Sequence, residues 1–170
     1  IIDVCTQAAQ GQVVAAVNFN APGQVVIAGH KTAVDRAIIQ AKAAGAKRAL
    51  ILPISVPVHC SLMHPAAERM AERLTQVTIY PPKIPIIHNV DVSTHSDLEA
   101  IRNALSAQID HPVRWVETIE MIANNGVTQI FECGPGKVLA GLTKRIVKDL
   151  TALPLVDTQT VANALHQAGI

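Results

Sequence analysis

The run Ala49-Leu50-Ile51-Leu52-Pro53-Ile54-Ser55-Val56-Pro57-Val58-His59-Cys60-Ser61 separates two patterns of chain. Its apolar start predicts a buried strand, the end of an extended stretch from Lys47 to Leu52. Pro53 and Pro57 then interrupt any ladder or helix, because neither donates a backbone N–H and each restricts the residue before it. His59 is thereby expected on a fixed loop at the exit of a strand, and a helical pattern begins at Ser61. An imidazole held at a strand-to-helix junction is suited to proton transfer. The plainer alternative is a loop histidine that only makes hydrogen bonds.

Upstream of that run the chain opens on a helical pattern, with Ile1/Ile2, Cys5 and Ala8/Ala9 on one face and Gly11 as its stop. Val13–Phe19 and Gln24–Gly29 predict two strands, joined through Asn20-Ala21-Pro22-Gly23 with Pro and Gly placed for a type II turn. Lys31–Ala44 predicts an amphipathic helix with Val34, Ala37, Ile38, Ala41 and Ala44 inward and Gly45 as its stop. Helix, strand, strand, helix, strand is a ferredoxin-like unit without its first strand. Downstream, a helix is expected over 61–77, with Met63, Ala66/Ala67, Met70 and Leu74 as its buried stripe and Pro65 in its first turn. A short strand is expected over 84–90, and a helix over 98–109 capped by Thr94 or Ser96. His111-Pro112 separates that helix from another over 113–124. A buried strand over 128–133 follows, then the tight turn Gly134-Pro135-Gly136, a helix over 137–149, a strand over 153–156 and a terminal helix over 161–168. This alternation argues for a parallel α/β layer.

Composition narrows the function classes. Apolar residues make up 49% and aromatics 2%, so a core must be built from Ala, Val, Ile and Leu. The net charge of +1, with no block of like charge, argues against a nucleic-acid surface. No apolar run approaches the ~18–20 residues of a membrane span. Cys5, Cys60 and Cys133 are odd in number and far apart, which argues against a disulfide framework or zinc site and points to a reducing cytoplasm.

Several constellations invite chemistry. His59, Cys60 and His64 have spacings poor for zinc, so no metal is expected. Adjacent His59 and Cys60 side chains should point apart, leaving Cys60 as a small buried apolar group rather than half of a dyad. Gly134-Pro135-Gly136-Lys137 opens a helix and could cradle a phosphate, but it is neither GxGxxG nor a Walker loop, and glycines for a tight turn are the better reading. Gly29-His30 looks like the start of a nucleophile elbow, yet Lys31 stands at the serine position, and the chain contains no GxSxG. Asn18, Asn20 and Gln24 crowd the hairpin tip, where amides make turns or line a pocket for a thioester or pantetheine amide.

Three segments taken together resemble the malonyl-CoA:acyl carrier protein transacylases: Val17-Asn18-Phe19-Asn20-Ala21-Pro22-Gly23-Gln24-Val25-Val26-Ile27-Ala28-Gly29, Ser55-Val56-Pro57-Val58-His59-Cys60-Ser61-Leu62-Met63, and Glu132-Cys133-Gly134-Pro135-Gly136-Lys137-Val138-Leu139. The resemblance runs the whole length. It implies an α/β fold: residues 1–53 as a ferredoxin-like small subdomain lacking its first strand, and 54–170 as the C-terminal part of an α/β-hydrolase-like acyltransferase subdomain. It implies transfer of a malonyl group from malonyl-CoA to acyl carrier protein in fatty acid biosynthesis, through a malonyl-serine ester. Malonyl-CoA and phosphopantetheine enter as substrates, with no cofactor and no metal.

By the same resemblance His59 is the base, and the backbone carbonyl of Gln108 holds its other ring nitrogen, the orienting role an Asp plays in a triad. Asn18, Asn20 and Gln24 match amides near the acyl-binding cleft. The family's serine, oxyanion-hole glutamine and malonate-binding arginine have no counterpart here. The chain therefore reads as the C-terminal portion of a longer enzyme, inactive alone. It is expected to leave an unpaired strand edge and an exposed apolar patch, and to need the N-terminal half as a partner. The alternative is a non-catalytic module that keeps the fold and binds carrier protein or another partner.

Overall fold

The computed structural model describes residues 1–169, which form two compact units of α/β structure. The first unit holds Ile1–Phe19 and Gln24–Arg114; the second holds Asn20–Gly23 and the chain from Trp115 onward. Helix α1 spans Ile2–Ala9, and strands β1 (Val14–Ala21) and β2 (Gln24–Gly29) pair as a two-stranded sheet. Gly23 sits at φ 74, the left-handed value a type II turn requires at its third position. Helix α2 (Lys31–Ala43) packs on α1 around Cys5, Ala8, Val14, Ala33 and Ala37. Side chains this small let the two helices approach closely, so a core nearly free of aromatics still fills. Ala33, absent from the expected face, is buried, whereas Ala44 is exposed.

The end of β2 is held against the start of β1 through Gly29-His30. The His30 N–H donates to the Val13 carbonyl (2.8 Å), and the Val13 N–H donates to His30 Nδ1 (3.0 Å). A Cβ on Gly29 would lie 2.1 Å from the Val13 oxygen, so only glycine fits this crossing. The elbow-like Gly29-His30 pair is thus a seam of the hairpin.

The expected third strand, Lys47 to Leu52, does not form. This segment is irregular, and Leu50, Ile51 and Ile54 are 53%, 63% and 63% exposed. No strand among the described residues lies beside it, and an unpaired stretch cannot hold a ladder. The prolines impose a different local structure. The Ile54 N–H bonds the Leu52 carbonyl (2.8 Å) and the Val58 N–H bonds the Val56 carbonyl (2.9 Å). Each bond closes a three-residue turn centred on proline, whose fixed φ is near the value an inverse γ-turn needs. His59 is therefore delivered by two proline-centred turns rather than by a strand end.

After a short 3-10 turn at Ser61–Met63, α3 runs over His64–Thr75 with Pro65 in its first turn. It packs on α4 (Leu98–Ala107) through Ala67 and Leu74, while Met70, expected inside, is exposed. Arg102 of α4 donates to the Leu74 carbonyl (3.0 Å) and the Val77 carbonyl (3.2 Å), so a cation meets the negative end of α3. Arg36 does the same for α1 at the Ala8 and Ala9 carbonyls. The cap of α4 is Asp97, not Thr94 or Ser96: its carboxylate accepts from the Ala100 N–H at 2.9 Å. The strand expected over 84–90 shrinks to β3 (Ile87–His88), antiparallel to β4 (Ser93–Thr94).

In the second unit α5 (Trp115–Asn124) precedes β5 (Gln129–Cys133), α6 (Val138–Ile146), β6 (Thr151–Leu155) and α7 (Thr158–Ala168). The strands β5 and β6 are parallel, with Phe131 opposite Leu153, and α6 makes the crossover, as the alternation predicted. β5 is half-buried rather than fully buried. Glu132 on β5 folds back over the glycine turn and accepts from the Leu139 N–H (3.2 Å) and Ala140 N–H (2.8 Å) at the start of α6. Among the described residues no helix is long and apolar enough to cross a membrane.

Two substitutions probe these supports. Gly29→Ala drives a methyl into backbone atoms and should cost about 1–3 kcal/mol, read as an earlier midpoint in urea unfolding. Glu132→Ala strips the N–H groups of α6 of their acceptor and should cost roughly 1 kcal/mol, with earlier amide exchange at Leu139 and Ala140 than elsewhere in the second unit.

Candidate active site

The end of α4 organises the site. Helix termini leave their last carbonyls without partners inside the helix. His59 takes the carbonyl of the C-cap, Gln108, and that of the next residue: its backbone N–H donates to the Ile109 carbonyl (3.0 Å), and its Nδ1 lies 2.7 Å from the Gln108 carbonyl. A carbonyl can only accept, so Nδ1 carries the hydrogen and the neutral ring has its lone pair on Nε2. His59 is partly buried, with φ 65, in the left-handed region where histidine is among the commoner non-glycine residues.

Gln108 contributes through its main chain to His59 and through its side chain to the turn that follows, donating to the His111 (3.2 Å) and Pro112 (3.4 Å) carbonyls. Val113, expected as the first residue of a helix, instead bridges β1 in parallel. Its N–H bonds the Val17 carbonyl (2.8 Å), and its carbonyl accepts from the Phe19 N–H (3.0 Å), around Asn18. The six-residue stretch 108–113 thus holds the loop of His59 on one side and the strand of Asn18 on the other, all within the first unit. Asn18 and Asn20 are two apart on β1, one face by strand period, and Gln24 opens β2. Asn20 belongs to the second unit.

The other candidates separate. Cys60 is 2% exposed and its thiol donates to the Pro57 carbonyl (3.2 Å), while burial pushes its pKa up, away from a reactive thiolate. His64 turns to Asp110. His59, Cys60 and His64 therefore have three different partners, and among the described residues no group of three His, Cys, Asp or Glu stands ready for a metal. The start of α6, the candidate phosphate cradle, has the Glu132 carboxylate as its anion.

Asp110 was not legible as a site residue. Its side chain is 7% exposed and accepts from His64 Nδ1 (2.8 Å) and His111 Nδ1 (2.6 Å). Burial pushes its pKa up, but the hydrogen bonds from His64 and His111 outweigh this and leave the carboxyl below the usual range. The bond to Asp110, helped by Glu68 at 3.8 Å, raises the pKa of His64. The signs fix a window. The Asp110 contribution is present above the ordinary carboxylate pKa and is lost as pH falls through its lowered folded value. The His64 contribution is present below the ordinary imidazole pKa and is lost as pH rises through its raised folded value. The ion pair is therefore fully formed from just above the carboxylate range to the ordinary imidazole range. The nearest feature legible in the sequence was His111-Pro112, read only as a break between helices, and nothing in it marks Asp110.

The chain as a whole is similar to known proteins. Residues 3–166 match the model of the acyl transferase domain. The malonyl CoA-acyl carrier protein transacylase of Salmonella typhimurium is 54% identical over 167 residues, 98% of this chain and 54% of that protein. That of Bacillus subtilis is 39% identical over 92% of this chain and 50% of its own length. Among solved structures, a type II PKS acyl-carrier protein in complex with its malonyl-transacylase matches with a TM-score of 0.96 and 53% identity, over 98% of this chain and 54% of that one. The transacylase of Coxiella burnetii matches with a TM-score of 0.96 and 48% identity, over 98% of this chain and 52% of that one. The chain spans about half the length of the curated relatives it matches. With the model matching nearly all of its length, the chain belongs to the acyl transferase domain family.

Proposed function

We propose that this chain supplies the base for malonyl transfer from malonyl-CoA to acyl carrier protein in fatty acid biosynthesis. The observation that carries the reading is the 2.7 Å contact of His59 Nδ1 with the Gln108 carbonyl, which leaves Nε2 as the proton acceptor. The names of the relatives support the substrate class. The chain has no GxSxG, so the nucleophilic serine comes from a segment outside it.

In the first half-reaction His59 Nε2 takes the serine proton as the hydroxyl oxygen attacks the malonyl thioester. The C–S bond breaks, and the CoA thiolate takes that proton from the imidazolium. In the second, Nε2 deprotonates the phosphopantetheine thiol of the carrier protein. The sulfur attacks the malonyl-serine ester, and the serine oxygen recovers the proton. No redox step arises, and the substrates bring their own thiols. The Gln108 carbonyl keeps the ring in one tautomer and steadies the imidazolium between steps. Asn18, Asn20 and Gln24 are assigned to the acyl-binding cleft, supported by their place at the tip of the hairpin.

The finer architecture belongs to the same reading. Residues 1–53 form a ferredoxin-like small subdomain, supported by the α1-β1-β2-α2 order and its shared core. Residues 54–170 form part of a hydrolase-like acyltransferase subdomain, supported by the parallel β5-α6-β6 crossover. The compartment inferred is the cytoplasm, where both substrates would be met.

In the intact protein His59→Ala should lower malonyl transfer by ~10²–10⁴-fold, the range for a lost general base. Labelled malonyl-CoA and carrier protein make the assay, and near-normal turnover would remove His59 from the mechanism. Gln108→Ala keeps the carbonyl and loses only the contacts to the turn after α4. It should cost far less than His59→Ala, and an equal loss with an intact circular dichroism spectrum would assign the side chain a direct role.

A further inference from the structure

The loop that carries His59 is fastened to α4 at two places. One is His59 itself, on the Gln108 and Ile109 carbonyls. The other lies five residues on, where His64 at the head of α3 meets Asp110 just past the end of α4. Asp110 is an unexpected residue there, because a carboxylate near a helix C-terminus meets the negative end of the helix dipole. Its side chain is nonetheless nearly buried, between the Nδ1 atoms of His64 and His111. His111 Nδ1 also lies 3.0 Å from the Ala107 carbonyl, in the last turn of α4. The carboxylate therefore links the start of α3 to the end of α4, and only residues 60–63 separate the two fastenings along the chain.

We propose that His64 and Asp110 are positioning residues for His59: their bond sets the register in which the His59 ring meets the Gln108 carbonyl. Neither touches the reacting atoms. Without the bond, Gln108 and Ile109 alone hold a loop whose central residue sits at positive φ, and the ring is free to leave its carbonyl or exchange tautomer. Errors of about 1 Å in the placement of a reacting group cost up to 10²-fold in rate, so a partial loosening should read as a smaller loss. The atom His64 uses is Nδ1, and the Nδ2 of asparagine occupies nearly the same place relative to the backbone. Asparagine should therefore serve where alanine fails.

The kinetic arm rests on the proposed function; a spectroscopic arm does not. In the intact protein, His64→Ala and Asp110→Ala should each lower kcat for malonyl transfer on the order of tenfold, with KM held within about twofold. His64→Asn should recover most of the loss. At alkaline pH the ion pair is gone but neutral His64 can still donate its Nδ1–H to Asp110, so ring ¹⁵N shifts of His59 should show one tautomer, hydrogen on Nδ1, in the unsubstituted and His64→Asn proteins, and a mixture in the alanine variants. His64 is exposed, so its substitution leaves the core untouched. Unchanged ring shifts and kcat in His64→Ala overturn the inference, as does an asparagine variant no better than alanine. If the unsubstituted protein transfers no malonyl group, the proposed function fails, and the ring shifts alone then decide the positioning role.

Discussion

The two carbonyls at the end of α4, Gln108 and Ile109, are the constraint on which the first unit depends. A helix must end with orphan acceptors, and something must satisfy them. Here the donors are the two N–H groups of a single histidine, one on its backbone and one on its ring. The same short stretch then bonds β1 through Val113. The hairpin, the proline loop and the α3–α4 pair thus meet at one helix terminus. The bonds of His59 and Val113 are to backbone, so they depend on where the helix stops, while the side chains of Gln108, Asp110 and His111 add contacts of their own.

The same rule recurs elsewhere. Arg36 closes α1, Arg102 closes α3, Asp97 and Asp157 open α4 and α7, and Glu132 opens α6. Cations stand at helix C-termini and anions at N-termini, as the peptide dipoles require. Asp110 breaks the pattern and takes two imidazoles in compensation. The Glu132 contact also shows why a Gly-Pro-Gly turn before a helix is poor grounds for a phosphate site: the anion is already part of the chain.

What could be read in advance was local. The hairpin, α2, and the β5-α6-β6 crossover follow from period, glycine and proline, and those elements formed within two residues of their expected bounds, save that α6 ends three residues early at Ile146. The segments that failed depend on neighbours. Ala49–Leu52 has the composition of a strand, but composition supplies no ladder partner, and the prolines beyond it close turns of their own. Residues 84–90 shrank for the same reason. In the site, His59 was marked by its prolines and by resemblance. The role of Gln108 came from resemblance alone, because no side chain encodes the use of a backbone carbonyl. Asp110 lies 46 residues from His64 in sequence, and nothing in either neighbourhood announces the contact.

The φ of 65 at His59 places two demands on one position. The backbone there asks for a residue that tolerates the left-handed region, and glycine, asparagine and aspartate do so with least strain. The chemistry asks for an imidazole, and none of those three has a ring nitrogen. Histidine is the compromise, holding a conformation that most other L-residues adopt at a cost. The exchange most tolerable to the backbone, histidine to asparagine, is thus also one that removes the proposed base. A sequence drifting under selection for folding alone would be drawn toward a shape-preserving, inert homologue. The demand of the fold and the demand of the proposed chemistry are therefore separable at this one position.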